Sequence, residues 1–379
     1  MAIKRYILHI IIFCLILCLA TRCLDFYSPP AVNTQYNYLV MNGFLNGVDS
    51  TIITLTRTQT IASTGQPTVE TGAIVQIEQE QGGTYPLTAS SNGTYFLTPQ
   101  TWDPSGNYRI RIQTTDGKEY LSDYVPLLST PAIDSVNWKV ENGGVQIFVN
   151  THDPTNKTQY YRWNYEETWE YSTPYYSDVI LVDGAVIPRT NDINHCWSYQ
   201  SSTEILISTT TTLNQAIVSE FPINFISVPS DEFQYEYSIL VSQFAMTQDA
   251  YQYWSILEKD SEGLGTIFGP LPSQVTGNIT CTTNAQQPVL GYFSASSVAQ
   301  KRIFINFDQV PYGGSNSYYK TCLFDTIRVD DIPTYRGGNL LIQPVDNQGG
   351  LIGYSASSPG CVDCRLHGGV NVKPSFWPN

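Results

Sequence analysis

Apolar and polar positions along this chain fall into three successive patterns. The first is a block. Lys4 and Arg5 precede an uncharged apolar run, Tyr6 to Ala20, that stops just before Cys23. A basic start, a short apolar middle and small residues near a cysteine read as a secretory signal. The run is shorter than the roughly 20 residues of a membrane span. The cysteine makes it a lipoprotein-type signal over residues 1–22, with lipidation expected at Cys23 and residues 23–34 as the tether. Arg22 departs from the small residue usual before such a cysteine, and Cys18 is the rival acceptor. An ordinary cleaved signal or an uncleaved anchor are the alternatives. Acyl chains contribute about 0.8 kcal/mol per buried CH₂, so several hold a protein on a membrane without a spanning helix.

The second pattern has period two. Thr51-Ile-Ile-Thr-Leu-Thr-Arg, Ala73-Ile-Val-Gln-Ile-Glu and Asn107-Tyr-Arg-Ile-Arg-Ile-Gln alternate apolar and polar residues. Alternation places one apolar face on a core. Asp116-Gly117 marks a hairpin between the last of these and Glu119-Tyr-Leu-Ser. Short strands at this spacing predict an immunoglobulin-like β-sandwich over residues 35–128. Leu127 to Pro131 reads as a linker, and residues 132–379 read as a larger β-rich domain. Its most regular strand is Tyr160–Tyr171, YYRWNYEETWEY. The odd positions Tyr161, Trp163, Tyr165, Glu167, Trp169 and Tyr171 form an aromatic face, and the even ones are mostly polar.

The third pattern, of period 3.6, occurs once. Thr247 can cap a helix near residues 248–262, with Asp249 in its first turn and Ala250, Tyr251, Trp254 and Leu257 on one face. Gly263 is a plausible stop. The chain is therefore expected to be all-β, with a short helical insertion and a disulfide-tied C-terminal tail.

Composition sharpens this picture. Charged residues are only 14% of the 379 and Tyr alone numbers 26, a profile that suits extracytoplasmic β-structure. Removal of Lys4, Arg5 and Arg22 with the signal leaves 16 basic against 33 acidic residues, formally −17. Such a chain repels phosphate backbones, so no nucleic-acid partner is expected. Besides Cys23, the cysteines after the signal are Cys196, Cys281, Cys322, Cys361 and Cys364. In an oxidising compartment these allow two disulfides and one odd thiol, with the connectivity open. Cys361-Val-Asp-Cys364 has C-x-x-C spacing. It lies in a Gly-rich tail rather than at a helix start, which favours structural bridges over redox or zinc chemistry.

Longer stretches carry a resemblance. YLVMNGFL, YYRWNYEETWEY, CWSYQSSTEILIST, SILVSQFAMTQDAYQYW, GPLPSQVTGNI, VLGYFSASSVAQKRIFI and CVDCRLHGGVNVKPSFW together resemble the Bacteroidota outer-membrane lipoprotein family catalogued as domain of unknown function 4249. They span nearly the whole chain after the signal. The resemblance implies an accessory lipoprotein beside a TonB-dependent outer-membrane transporter, and it carries over no catalytic residue. It matches Cys196, Cys322, Cys361 and Cys364 to the family's cysteines and leaves Cys281 as the odd thiol. The phylum's O-glycosylation pattern fits Asp49-Ser50-Thr51, Asp134-Ser135-Val136 and Asp325-Thr326-Ile327, making Ser50, Ser135 and Thr326 candidate acceptors.

Trp163, Tyr165 and Trp169 are candidate ligand-binding residues, because aromatic faces stack on sugars and apolar groups. Glu166, Glu167 and Glu170 could accept hydrogen bonds beside them. The competing reading is that these aromatics fill a core, where a buried Trp163 indole N–H needs a partner. Catalysis has little support. There is no H-E-x-x-H, and Gly353-Tyr-Ser355-Ala-Ser lacks the second glycine of a nucleophile elbow. A pair such as Glu166 with Asp103 would be the glycosidase candidate, and Asp330-Asp331 a weak calcium candidate. No cofactor and no metal are expected. The reading of function is a non-enzymatic outer-membrane lipoprotein serving a TonB-dependent transporter, on an undecided membrane face. A surface adhesin and an extracytoplasmic glycan-degrading or redox enzyme are the alternatives.

Overall fold

The computed structural model describes residues 37–59, 65–262, 277–314 and 321–378. The signal, Cys23 and the tether lie outside the described residues. The chain is all-β, with one long helix, Gln248–Glu262, and short 3-10 turns. No helix among the described residues is long and apolar enough to cross a membrane.

The N-terminal part is a two-sheet sandwich. One sheet runs Val289–Leu290, Leu39–Gly43, Thr51–Arg57, Thr94–Leu97, Thr88–Ala89. The other runs Ile279–Cys281, Glu119–Ser122, Asn107–Gln113, Ile74–Gln79, Thr84–Pro86. Alternation sets the facing: Ile53, Leu55, Tyr108, Ile110 and Ile112 are buried, while their neighbours reach the surface. Asp116-Gly117 does make the hairpin, with Gly117 at φ 81°, where an L side chain would be strained.

This sandwich is not completed by residues 35–128 alone. Ile279–Cys281 pairs with Tyr120–Ser122, Val289–Leu290 lies parallel on Leu39–Val40, and Ala295–Ser296 lies parallel on Leu45–Asn46. Ile279, Cys281, Val289, Phe293 and Ala295 enter its core. These segments are two or three residues long, too short for alternation to show. After the helix the chain returns to the first sandwich before going back to the second.

The second part is also layered. A three-stranded sheet, Ile133–Glu141, Gly144–His152, Ile217–Ser227, packs its Val145, Ile147 and Val149 against a larger sheet. In that sheet Tyr160–Ser172 is flanked on one side by Glu236–Ala245, beyond which lies Val298–Asn306. Its other side is shared. Leu206–Thr209 pairs with Tyr160–Trp163, and His195–Ser201 pairs with Glu166–Ser172. The helix packs Ala250, Tyr251 and Trp254 on Ile207 and Met246, and the Thr247 hydroxyl accepts from the Ala250 N–H, as the period and cap predict.

The C-terminal tail adds a small sheet, Phe324–Arg328, Gly350–Ser357, Leu340–Asn347. Two disulfides tie it down, Cys196–Cys364 and Cys322–Cys361, and Cys281 is a buried free thiol. The two cysteines of the C-x-x-C motif therefore bond to different partners rather than to each other.

Candidate functional site

The Tyr160–Ser172 strand organises the site because its two faces differ. Tyr161, Trp163 and Tyr165 point into the second core; Trp163 is 1% exposed. Its ring stacks between Tyr161 and Phe221, with centroids 5.8 and 4.6 Å away. The indole N–H donates to Gln243 Oε1 at 2.8 Å. The Gln243 amide in turn donates to the Pro131 carbonyl and the Thr151 hydroxyl. The partner that a buried indole requires is thus supplied from the neighbouring strand.

Glu167 shares this inward face. Its carboxylate is buried and accepts from Tyr237 Oη and Asn224 Nδ2, both at 2.6 Å. Burial pushes its pKa up, and the two hydrogen bonds only partly offset that. Tyr237 is pushed well above its ordinary value, by burial first and then by the adjacent carboxylate, so its hydroxyl remains a donor.

The opposite face of the same strand opens on a cleft of about 420 Å³. Arg162, Asn164 and Glu166 form its base. One wall is the helix, through Tyr253 and Trp254; another is the N-terminal sandwich, through Met41–Phe44 and Gly291–Ser294. The third is the Ser201–Ile205 loop. That loop exists because the edge pairing changes hands at Asn164–Tyr165. Ser202 bridges the gap, its N–H donating to the Tyr165 carbonyl and its hydroxyl accepting from the Tyr165 N–H. Gly291 has φ 129° and sits so close to the Met41 carbonyl that a side chain would collide, which lets the first sandwich reach the cleft wall.

Arg162 is the chemically distinctive residue here. Its guanidinium lies 4.1 Å from the Trp254 ring centroid and 5.4 Å from that of Phe244. Both are cation–π contacts. Phe244 is itself buttressed edge-on by Phe44. The Arg162 side chain makes no hydrogen bond or ion pair with any described residue, whereas Arg57, Arg109, Arg111 and Arg365 all pair with carboxylates. Burial lowers its pKa to about 10, with the Tyr253 hydroxyl opposing the shift only in part, so it stays protonated at neutral pH. Glu166 and Glu204 are exposed at the cleft's other end.

The aromatic candidates thus divide. Trp163 and Tyr165 border the cleft but belong to the core, and Trp169 is half-buried beside Tyr171 and the Cys196–Cys364 bridge. Their burial favours the core reading over ligand stacking, since alternation aims Trp163 and Tyr165 at the opposite sheet. The cleft is instead built on the even positions, where Arg162 in a strand reads from sequence as a solvated charge. Among the proposed acceptors, Glu166 reaches the cleft, Glu167 is buried and Glu170 is half-buried. Asp103 does not line the cleft with Glu166; it accepts from the N–H and hydroxyl of Ser105, which lower its pKa and make it a turn residue. Among the candidate glycan acceptors, Thr326 is exposed on the tail sheet and Ser50 half-buried in a turn. Ser135 is half-buried and accepts from Asn150.

A family model described as domain of unknown function (DUF4249) matches residues 27–302. No curated protein matches the chain.

Proposed function

The chain belongs to the DUF4249 family, and on that premise we propose that it is a non-enzymatic, lipid-anchored outer-membrane protein that captures a ligand beside a TonB-dependent transporter. The observation that carries the capture role is the cleft. It joins two sandwiches and a helix around an arginine that has no ion pair among the described residues, and its volume is within the roughly 300–1,000 Å³ usual for small-molecule sites. The apolar run ending before Cys23 supports the anchor, and the resemblance supports the transporter partner.

A gentle detergent extraction of the tagged protein from native outer membranes, followed by mass spectrometry, tests the reading. A TonB-dependent transporter recovered in stoichiometric amount is the expected outcome. Recovery of the protein alone, or from the soluble fraction, contradicts it.

A further inference from the structure

The cleft has a polarity along the strand. Arg162 and Glu166 occupy one face of an extended segment four residues apart, a backbone separation of about 13 Å at the usual rise. At the Arg162 end, two aromatic rings lie against a half-buried cation that has no ion pair among the described residues. At the Glu166 end, Glu204 adds a second acid on the loop that bridges the edge. Neither acid has an ion pair among the described residues.

A guanidinium fork matches a carboxylate bidentately and is much stronger at this where water is scarce. The contacts already in place are with the rings of Trp254 and Phe244, and no described residue accepts a hydrogen bond from its guanidinium N–H groups. Asn164, between Arg162 and Glu166 on the same face, supplies both a donor and an acceptor to the middle of the cleft.

We infer that the cleft binds a short peptide in extended form, its C-terminal carboxylate on Arg162 and its amino terminus toward Glu166 and Glu204. The 13 Å spacing corresponds to about three or four extended residues. The flanking aromatics Tyr253, Trp254 and Phe44 suit apolar side chains near the carboxylate end. This inference names the ligand for the capture role proposed above and rests on it.

The test is equilibrium dialysis of the folded protein against a mixed-sequence tripeptide and tetrapeptide pool with free C-termini, with mass spectrometry of what is retained. The same pool with amidated C-termini and an N-acetylated pool serve as comparators. Free-acid peptides should be retained by the wild type and lost by about tenfold or more with Arg162→Met. Amidation should abolish retention. Acetylation, or Glu204→Gln, should weaken it by a smaller factor. No enrichment of any free-acid peptide, or equal retention of the amidated pool, overturns the inference. Displacement by sulfate with no preference among peptides would reduce the site to a simple anion site and overturns it equally. The amidated arm needs no mutant, so misfolding of a variant cannot mask the result. The transporter pull-down is independent: a partner recovered without peptide binding rejects this inference alone, and peptide binding without a partner rejects the transporter role alone.

Discussion

The two faces of the Tyr160–Ser172 strand differ in what they do with polar groups. On the inward face the two most deeply committed polar groups have partners: the Trp163 indole has Gln243, and Glu167 Oε1 has Tyr237 and Asn224. On the outward face Arg162 has aromatic neighbours and no ion pair among the described residues. Burying a polar group without a partner is costly, so a structural face satisfies its groups internally. A face that leaves a cation half-buried, with no ion pair among the described residues, is on the proposed reading the one a ligand would use. On the proposed reading, the contrast separates stability from binding on one element, at adjacent residues.

The largest disturbance should come from the far end of the strand. There Tyr171 pairs in register with Cys196 and its hydroxyl donates to the Cys364 carbonyl, beside the Cys196–Cys364 bridge. That bridge spans 168 residues, for which loop entropy predicts a loss of about 5 kcal/mol on Cys364→Ser. Cys361→Ser opens the 39-residue bridge and should cost about 4 kcal/mol. Chemical denaturation measures both; an unchanged midpoint would show that the tail is held without its bridges.

Next comes the inward face. Trp163→Ala should destabilise by about 3–5 kcal/mol, because the ring fills the space between Tyr161 and Phe221. A loss comparable to that of an exposed residue would mean the second core does not depend on this face.

Two carboxylates of opposite sign sharpen the comparison further. Glu167 has a folded pKa raised above its unfolded value near 4.5, so its contribution is fully present below that value and is lost as pH rises through the folded pKa. Asp153 behaves in reverse. Burial opposes its ionisation, but hydrogen bonds from Thr155 and Thr158 hold it near 2, so its contribution is present above about 3.8 and lost as pH falls through 2. Glu167→Gln should therefore flatten the decline in stability above pH 4.5, and Asp153→Asn the decline in strong acid. Melting temperatures across pH for both variants check the signs; matching slopes would contradict the assignment.

Much of the framework was legible in the sequence. Alternation in Thr51–Arg57 and Asn107–Gln113 marked the sandwich, and Thr247 with Ala250, Tyr251 and Trp254 marked the helix and its buried face. The competing reading of the YYRWNYEETWEY aromatics as core was legible too, since period two puts Trp163 and Tyr165 on the side of Tyr161. The return of residues 279–296 to the first sandwich was not, because two- and three-residue strands carry no period. The disulfide pairing was not legible either, since it depends on where the tail folds back. Arg162 was invisible for a different reason. Its meaning depends on Trp254 from the helix and Phe244 from the next strand, and on its lack of an ion pair among the described residues, none of which its own strand reveals.

The most direct test of the divided strand pairs two quantities, unfolding free energy and peptide retention, across Arg162→Met and Trp163→Phe. Arg162→Met should keep its unfolding free energy within about 1 kcal/mol of the wild type, as expected of a group outside the core, while retention of free-acid peptides is lost. Trp163→Phe should lose stability and keep retention. If Arg162→Met unfolds as readily as the core variant with retention unaltered, the outward arginine is a structural clamp between strand and helix, and the division between the two faces does not exist.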